Sequence, residues 1–351
     1  MYGLLATSTA TTVDLQILCT ADLHGVITHE QDKAEQPLGA GLRLATLIRQ
    51  QRQSAGRNHT ILIDCGDTCQ GTLGAALTRG EIGIRFLKTL DYDIWVPGNH
   101  EFDYGLTRFH DFHQAAKDFI VCGNVTYSLP GRQHVRPPAW RIVRRQQARI
   151  AVIGATARHL PNWLWGANVE GYVVEDASAQ IRRILPTVLE TKPDMIILAT
   201  HQAWRYNDPR RISEVRRIGE RFPSIDLIIG AHSHRAIPGM KIGRKTWYIQ
   251  AGAHGEYLGV VNVEIDSTAH RVTDITSTLE PVQQNMVKDA SMRAAFKAYF
   301  ARVKDVANRP VCTLAQPISA HGTPGKDCET SALLANAIVH ATQAKAVIHG
   351  R

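Results

Sequence analysis

Seven side chains able to bind a metal ion stand in five short islands between positions 22 and 234, and each island follows a short apolar run. They are Asp22 and His24 in TADLHG, Asp67 in CGDTCQG, Asn99 in PGNHEFDYG, His201 in ATHQAW, and His232 and His234 in GAHSHR. Carboxylate, carboxamide and imidazole heads gathered at the ends of buried strands could hold two divalent cations side by side. The chemistry that such a pair supports is hydrolysis, because paired cations acidify a bound water and clamp the oxygens of the group it attacks.

The islands differ in what each contributes. Successive side chains in a strand alternate faces, so D-x-H past LQILCT is expected to aim Asp22 and His24 to one side. Gly66 allows a turn that faces Asp67 into the cleft, and a carboxylate can bridge two cations where an imidazole cannot. Asp67 is therefore the expected bridge, and Asp64 is read as a hydrogen-bonded strand-end residue. In PGNHEFDYG, Asn99 offers a neutral oxygen to a metal, while His100 beside it is free to protonate a leaving oxygen. Asp103 can accept from the other ring nitrogen of His100 and fix its tautomer. His201 follows MIILAT, and His232 with His234 follows IDLIIG, again with an alternation that would aim two imidazoles to one side. His254 in AGAHGEYLG is open between a place near this site and a loop-packing role. His59, His110, His113, His134 and His159 lack such context and read as surface or packing residues.

These positions need elements to hold them. Short β-branched runs are expected to be strands at LQILCT (15–20), TILIDC (60–65), DIWV (93–96), IAVIGA (150–155), MIILAT (195–200), IDLIIGA (225–231) and WYIQAG (247–252), with VVNVEID closing the series. Between them GLRLATLIRQQRQ, LTRFHDFHQAAK and AQIRRILPTVLE carry helical periodicity, the first with Leu42, Ala45 and Leu47 or Ile48 on one face. The alternation predicts an α/β chain, and continuously apolar strands predict a sheet covered on both faces. The pattern changes after about residue 267: residues 1–267 read as the main domain and 268–310 as a linker carrying the helix DASMRAAFKAYFARVKDVA. Residues 311–351 are too short to fold alone.

The chain of 351 residues, 44% hydrophobic and 21% charged, is long enough to bury a large core, which excludes general disorder. No apolar stretch reaches the roughly 18–20 residues of a membrane helix, and the opening residues lack a signal pattern, so no membrane partner and a cytoplasmic location are expected. The formal charge of +8 comes from basic residues scattered along expected helices, with RIVRR (141–145) and RRISEVRRIGER (210–221) densest. Without one aromatic-studded patch this argues against a nucleic-acid polymer and for attraction of small anions. The six cysteines show no paired zinc spacing and are expected to be reduced and structural. There is no G-x-S-x-G elbow, Walker loop or G-x-G-x-x-G after a strand.

The strings ILCTADLHG, ILIDCGDTCQG, VPGNHEFDYGL, GAHSH and QAGAHGEYLG resemble the calcineurin-like metallophosphoesterase superfamily over roughly residues 14–266. Within it they resemble the 5′-nucleotidase and 2′,3′-cyclic-nucleotide 2′-phosphodiesterase branch. The resemblance implies a four-layer αββα sandwich with a dinuclear metal centre at the strand ends. One ion would take Asp22, His24, Asp67 and His234, the other Asp67, Asn99, His201 and His232, with His100 and Asp103 as the catalytic dyad. The ions would be two of manganese, zinc, iron or cobalt, and the substrate a small phosphoester, a nucleotide for preference. UDP-sugars, other phosphoesters and a non-catalytic metal-binding module remain alternatives. Ala231 and Ala21 depart from the commonest family spelling without removing a ligand. Residues 311–351 resemble only the start of the family's C-terminal domain, whose arginines and aromatics grip the nucleotide.

Overall fold

The computed structural model describes residues 12–28, 40–131, 134–164, 166–208, 213–310, 313–319 and 328–343. The strands are β1 (Thr12–Thr20), β2 (Thr60–Asp64), β3 (Ile94–Trp95), β4 (Val125–Tyr127), β5 (Trp140–Arg145), β6 (Ala148–Ala155) and β7 (Tyr172–Val174). They continue as β8 (Met195–Thr200), β9 (Leu227–Gly230), β10 (Ala236–Ile242), β11 (Thr246–Ala251), β12 (Tyr257–Asp266) and β13 (Arg271–Pro281). One sheet has the order β13-β12-β1-β2-β3, a second β10-β11-β9-β8-β6-β5, and β4 pairs with β7 alone. Within the first sheet β1, β2 and β3 run parallel, and within the second β6, β8, β9 and β11 do.

Period-two alternation sorts the apolar residues into layers. Ile17, Ile63, Ile197, Ile229 and Val261 belong to a buried core shared by the two sheets. Their neighbours Leu18 and Leu62 face the other way, onto Leu42 and Ile48 of the helix Ala40–Ala55, Phe86 of Glu81–Thr89, and Phe296. On the second sheet Ile196 and Leu198 meet Ile181 and Val188 of Ala177–Glu190 and Val215 and Ile218 of Val215–Arg221. Helix, sheet, sheet and helix are thus stacked, the αββα arrangement expected from the resemblance. Sheets apolar on both faces need this double cover.

Three local readings change. RIVRR forms β5, where antiparallel pairing with β6 leaves the arginines at the sheet edge instead of on a helix. The stretch 268–310 is not a plain linker, since it begins with β13, which pairs along the whole of β12. Its expected single helix is broken at Phe296 into Ala290–Ala295, capped by the Asp289 carboxylate on Met292 N–H at 2.7 Å, and Lys297–Ala307. Residues 1–304 cluster as one compact unit and 305–351 as another, the latter containing the helix Glu329–Thr342. Among the described residues no helix is long and apolar enough to cross a membrane. Cys19, Cys65, Cys69, Cys122 and Cys328 are free thiols, the first four buried; Cys312 lies outside the described residues.

Ile197 sits at the centre of the second sheet with no exposure. Ile197→Ala is expected to destabilise the protein by about 2–5 kcal/mol through lost burial and the cavity left behind, as measured by urea unfolding.

Candidate metal centre

The site is assembled from loops that leave the carboxyl ends of parallel strands. Asp22 and His24 follow β1, Asp67 follows β2, and Asn99, His100 and Asp103 follow β3; His201 follows β8, and His232 and His234 follow β9. Parallel strands end on the same edge, and stacking the two sheets brings both edges together, which is where ligands of open α/β sheets gather.

Strand alternation is not what aims these side chains. β1 ends at Thr20, and Asp22 (φ 52°), His24 (φ 47°), Asp67 (φ 54°), His232 (φ 75°) and His234 (φ 59°) all lie in the left-handed region. The chain has turned out of the extended conformation before each ligand. Such residues cost of order 1–3 kcal/mol each and persist where surrounding contacts over-determine them. Here Asp22 N–H donates to Gly66 O at 2.9 Å and His24 N–H to Asp67 O at 2.7 Å, tying the β1 loop to the β2 loop. His232 N–H donates to both oxygens of the Asp22 carboxylate at 3.0 Å, tying in the second sheet.

The main brace is a residue to which the sequence reading assigned no role. Glu101 is fully buried, and its carboxylate accepts from four backbone N–H groups: Thr68 at 2.8 Å and Cys69 at 2.9 Å on one oxygen, Asp67 at 2.9 Å and Gly98 at 2.5 Å on the other. It clamps the β2 loop to the β3 loop. An acidic residue directly after the His100 position was the available signal. Asp64 does behave as a strand-end residue, accepting from Thr20 Oγ1, Thr68 Oγ1 and Gly66 N–H.

The nine candidate residues converge. Asp22, His24 and His234 place donor atoms within 4.8 Å of one another, as do Asp67, His201 and His232, and likewise His24, Asp67 and His100. His24 Nε2 stands 2.9 Å from His234 Nε2. Asn99 Oδ1 is 2.9 Å from His232 Nδ1 and 3.2 Å from His201 Nε2. Asp67 Oδ2 lies 3.1 Å from His201 Nε2 and 3.9 Å from His24 Nε2, so this carboxylate stands between the two groups. Asp103 reaches the cluster only through His100, whose Nδ1 lies 2.7 Å from its carboxylate. His100 N–H also donates to Asp67 Oδ1 at 2.8 Å.

The arrangement demands positive charge. His201 Nδ1 is 2.7 Å from Cys65 O, and a carbonyl only accepts, so the hydrogen sits on Nδ1. A neutral ring would then turn the Nε2 lone pair toward the acceptors Asn99 Oδ1 and Asp67 Oδ2. Only a proton or a cation relieves this. Burial works against charge on His201, but Asp67 and Asp22 outweigh it and carry its pKa up to about 10. Burial pushes Asp22 up to about 8 against the attraction of His201, with repulsion from Asp67 adding to the rise. For Asp67 burial also opposes charge, yet His201, His100 and His24 hold it well below the usual carboxylate range. Burial chiefly lowers His24 to about 4 and His232 to about 3, and lowers His234 too, so these rings are neutral near neutral pH and able to act as ligands. Mixed nitrogen and oxygen donors with this unmet demand for charge fit divalent transition-metal ions.

Two further rings edge the cluster. The Trp163 indole lies against His232, ring centroids 4.4 Å apart, and His254 packs 5.3 Å from His24 and 5.4 Å from His234. The sequence left His254 open, and nothing in it pointed to Trp163, which comes from a loop distant in the chain.

Two outcomes follow from this geometry. A cation entering the cluster displaces protons held around Asp22 and His201, so manganese binding should release at least one proton per chain and tighten as pH rises from about 6 to 8. Calorimetry in buffers of different ionisation enthalpy reads the release, and pH-independent affinity would contradict it. Glu101→Gln sets an amide N–H₂ against two of the four N–H groups; a stability loss of at least about 1–3 kcal/mol and weaker manganese uptake are expected by unfolding and metal titration.

A calcineurin-like phosphoesterase family model matches residues 15–236. The chain is similar to a 2′,3′-cyclic-nucleotide 2′-phosphodiesterase/3′-nucleotidase of Salmonella typhimurium, 26% identical over 347 residues covering 87% of this chain and 53% of the relative. It is also similar to the 5′-nucleotidase of Bos taurus, 25% identical over 288 residues covering 74% and 48%. The chain thus spans about half the length of these relatives. Its fold is that of a calcineurin-like phosphoesterase from Bacillus subtilis (TM-score 0.72, 22% identity, 85% and 100% covered) and of a 5′-nucleotidase precursor from Thermus thermophilus (TM-score 0.72, 19% identity, 94% and 67% covered). A family match over well above half of the residues, carried by a fold and a ligand cluster of this kind, means that the chain belongs to the calcineurin-like phosphoesterase family.

Proposed function

We propose that this protein hydrolyses small phosphoesters with two divalent cations, and that its substrates are nucleotides of the 5′-, 3′- or 2′,3′-cyclic class. The observation that carries the reading is the contact between His100 and Asp103 beside the convergent ligand cluster. Asp22, His24, Asp67 and His234 would hold one cation and Asp67, Asn99, His201 and His232 the other. The pair, when bound, supplies Lewis acidity toward water and phosphoryl oxygens. The protein's own residues do the rest. Glu101 and the Asp22 carboxylate keep the ligand loops registered, and burial keeps three of the four ligand histidines neutral.

His100 carries the proton. Burial disfavours its charge, but the hydrogen bond to Asp103 and the nearby Asp67 carboxylate raise its pKa above the ordinary histidine value. With Nδ1 engaged by Asp103, Nε2 is the nitrogen left to donate to a phosphoryl oxygen or to the departing ester oxygen. With 32% of its side-chain surface exposed, the ring is accessible to a bound substrate. The nucleotide preference rests on the names of the relatives and on the net positive charge.

Manganese-supplemented protein is expected to hydrolyse p-nitrophenyl phosphate or its bis-ester, and a panel of 5′-, 3′- and 2′,3′-cyclic nucleotides and UDP-sugars ranks substrates. His100→Ala should lower kcat by about 10²–10⁴ while two manganese ions per chain remain bound. Asp67→Asn should abolish turnover and impair binding of both ions. A His100→Ala protein with undiminished kcat, or metal-loaded protein inert toward the whole panel, would refute the reading.

A further inference from the structure

Resting on the phosphoesterase reading, we propose that His254 is a further substrate-contacting residue, donating an imidazole N–H to a non-bridging phosphoryl oxygen. Four imidazole rings adjoin one another here: His24 is 4.8 Å from His234, 5.3 Å from His100 and 5.3 Å from His254, centroid to centroid. His254 is the exposed member that no ligand group includes; among the described residues the three clusters of close donor atoms are made without it. Its ring therefore lies beside two candidate ligands on a residue that is itself exposed.

The backbone points the same way. His254 has φ 54°, like the ligand residues, and its N–H donates to Asp22 O at 2.8 Å. The loop after β11 is thus anchored to the β1 loop that supplies Asp22 and His24, and the anchor holds a β-carbon residue in the left-handed region at a cost. Gly252 and Gly255, on either side, take the same hand without that cost. A residue serving only to fill the loop would turn its ring into it, whereas this ring is exposed and stands against His24 and His234. His100 and His254, both packing on His24, provide two N–H donors at the open side of a cluster whose carboxylates Asp22 and Asp67 are buried. Donors outside and carboxylates inside make a rim selective for an anion of phosphate type.

His254→Gly tests this without disturbing the backbone, since glycine accepts the left-handed conformation. Inorganic phosphate is titrated calorimetrically into the manganese-loaded protein, alongside KM and kcat for p-nitrophenyl phosphate, manganese stoichiometry and Tm. The expected result is a loss of phosphate affinity and a rise in KM of about tenfold each, with two manganese ions and Tm unchanged. His254→Asn, which tolerates the same backbone and restores a side-chain N–H donor, should recover part of the phosphate affinity. Unchanged phosphate affinity in His254→Gly, or loss of a manganese ion, overturns the proposal while leaving phosphoesterase activity standing. Wild-type protein that binds manganese yet neither binds phosphate nor turns over ester overturns the phosphoesterase reading and this one with it.

Discussion

Two carboxylates, Asp22 and Asp67, are buried where, among the described residues, their ion-pair partners are histidines. Removing two negative charges from water is affordable only if positive charge is brought to them. The rest of the site answers that requirement. His201 is drawn toward the charged state by Asp67 and Asp22, while burial keeps His24, His232 and His234 neutral. A proton satisfies the demand partially and at one point; divalent ions satisfy it across the whole set. This also explains why the loops carry strain, since five residues in the left-handed region are tolerable only where a network of contacts over-determines them.

The two sheets supply the framework for that network. Parallel β1, β2 and β3 present their carboxyl ends on one edge, β8 and β9 on another, and the shared core of Ile17, Ile63, Ile197 and Ile229 fixes how the edges meet. Close approach of the loops then depends on missing side chains. A β-carbon on Gly66 would stand 2.2 Å from Gly98 N, and one on Gly98 would stand 2.2 Å from Asp67 Oδ1 and 2.7 Å from His201 Cε1. These two glycines let the β2 and β3 loops touch, so that Glu101 can gather N–H groups from both. The same contact leaves His100 N–H on Asp67 Oδ1, which couples the dyad to the carboxylate between the two ligand groups.

The side chains of the site are therefore graded by depth. The carboxylates of Asp22 and Asp67 lie innermost with His24 and His201 buried beside them, while His234, His100, His254 and Trp163 lie toward the opening. The innermost groups are the ones most constrained by charge balance.

Residue identity and local pattern determined a good deal by themselves. Apolar runs placed β1, β2, β6, β8, β9, β11 and β12 because continuous burial needs continuous hydrophobicity, and the ligand types were legible because few side chains bind cations. The short spacing within PGNHEFDYG made the His100 to Asp103 contact readable, since three residues of one turn are close in any fold. What the tertiary structure alone decided is direction and neighbourhood. Alternation suggested that Asp22 with His24, and His232 with His234, were aimed by strands, but left-handed loops aim them, and those conformations exist only because distant partners hold them. RIVRR and β13 became strands through pairing with β6 and β12, an interaction that is not encoded within either segment. Glu101 as a clamp, and His254 and Trp163 at the rim, were hidden for the same reason: their roles are contacts across many residues of chain, and local periodicity carries no information about which loops will meet.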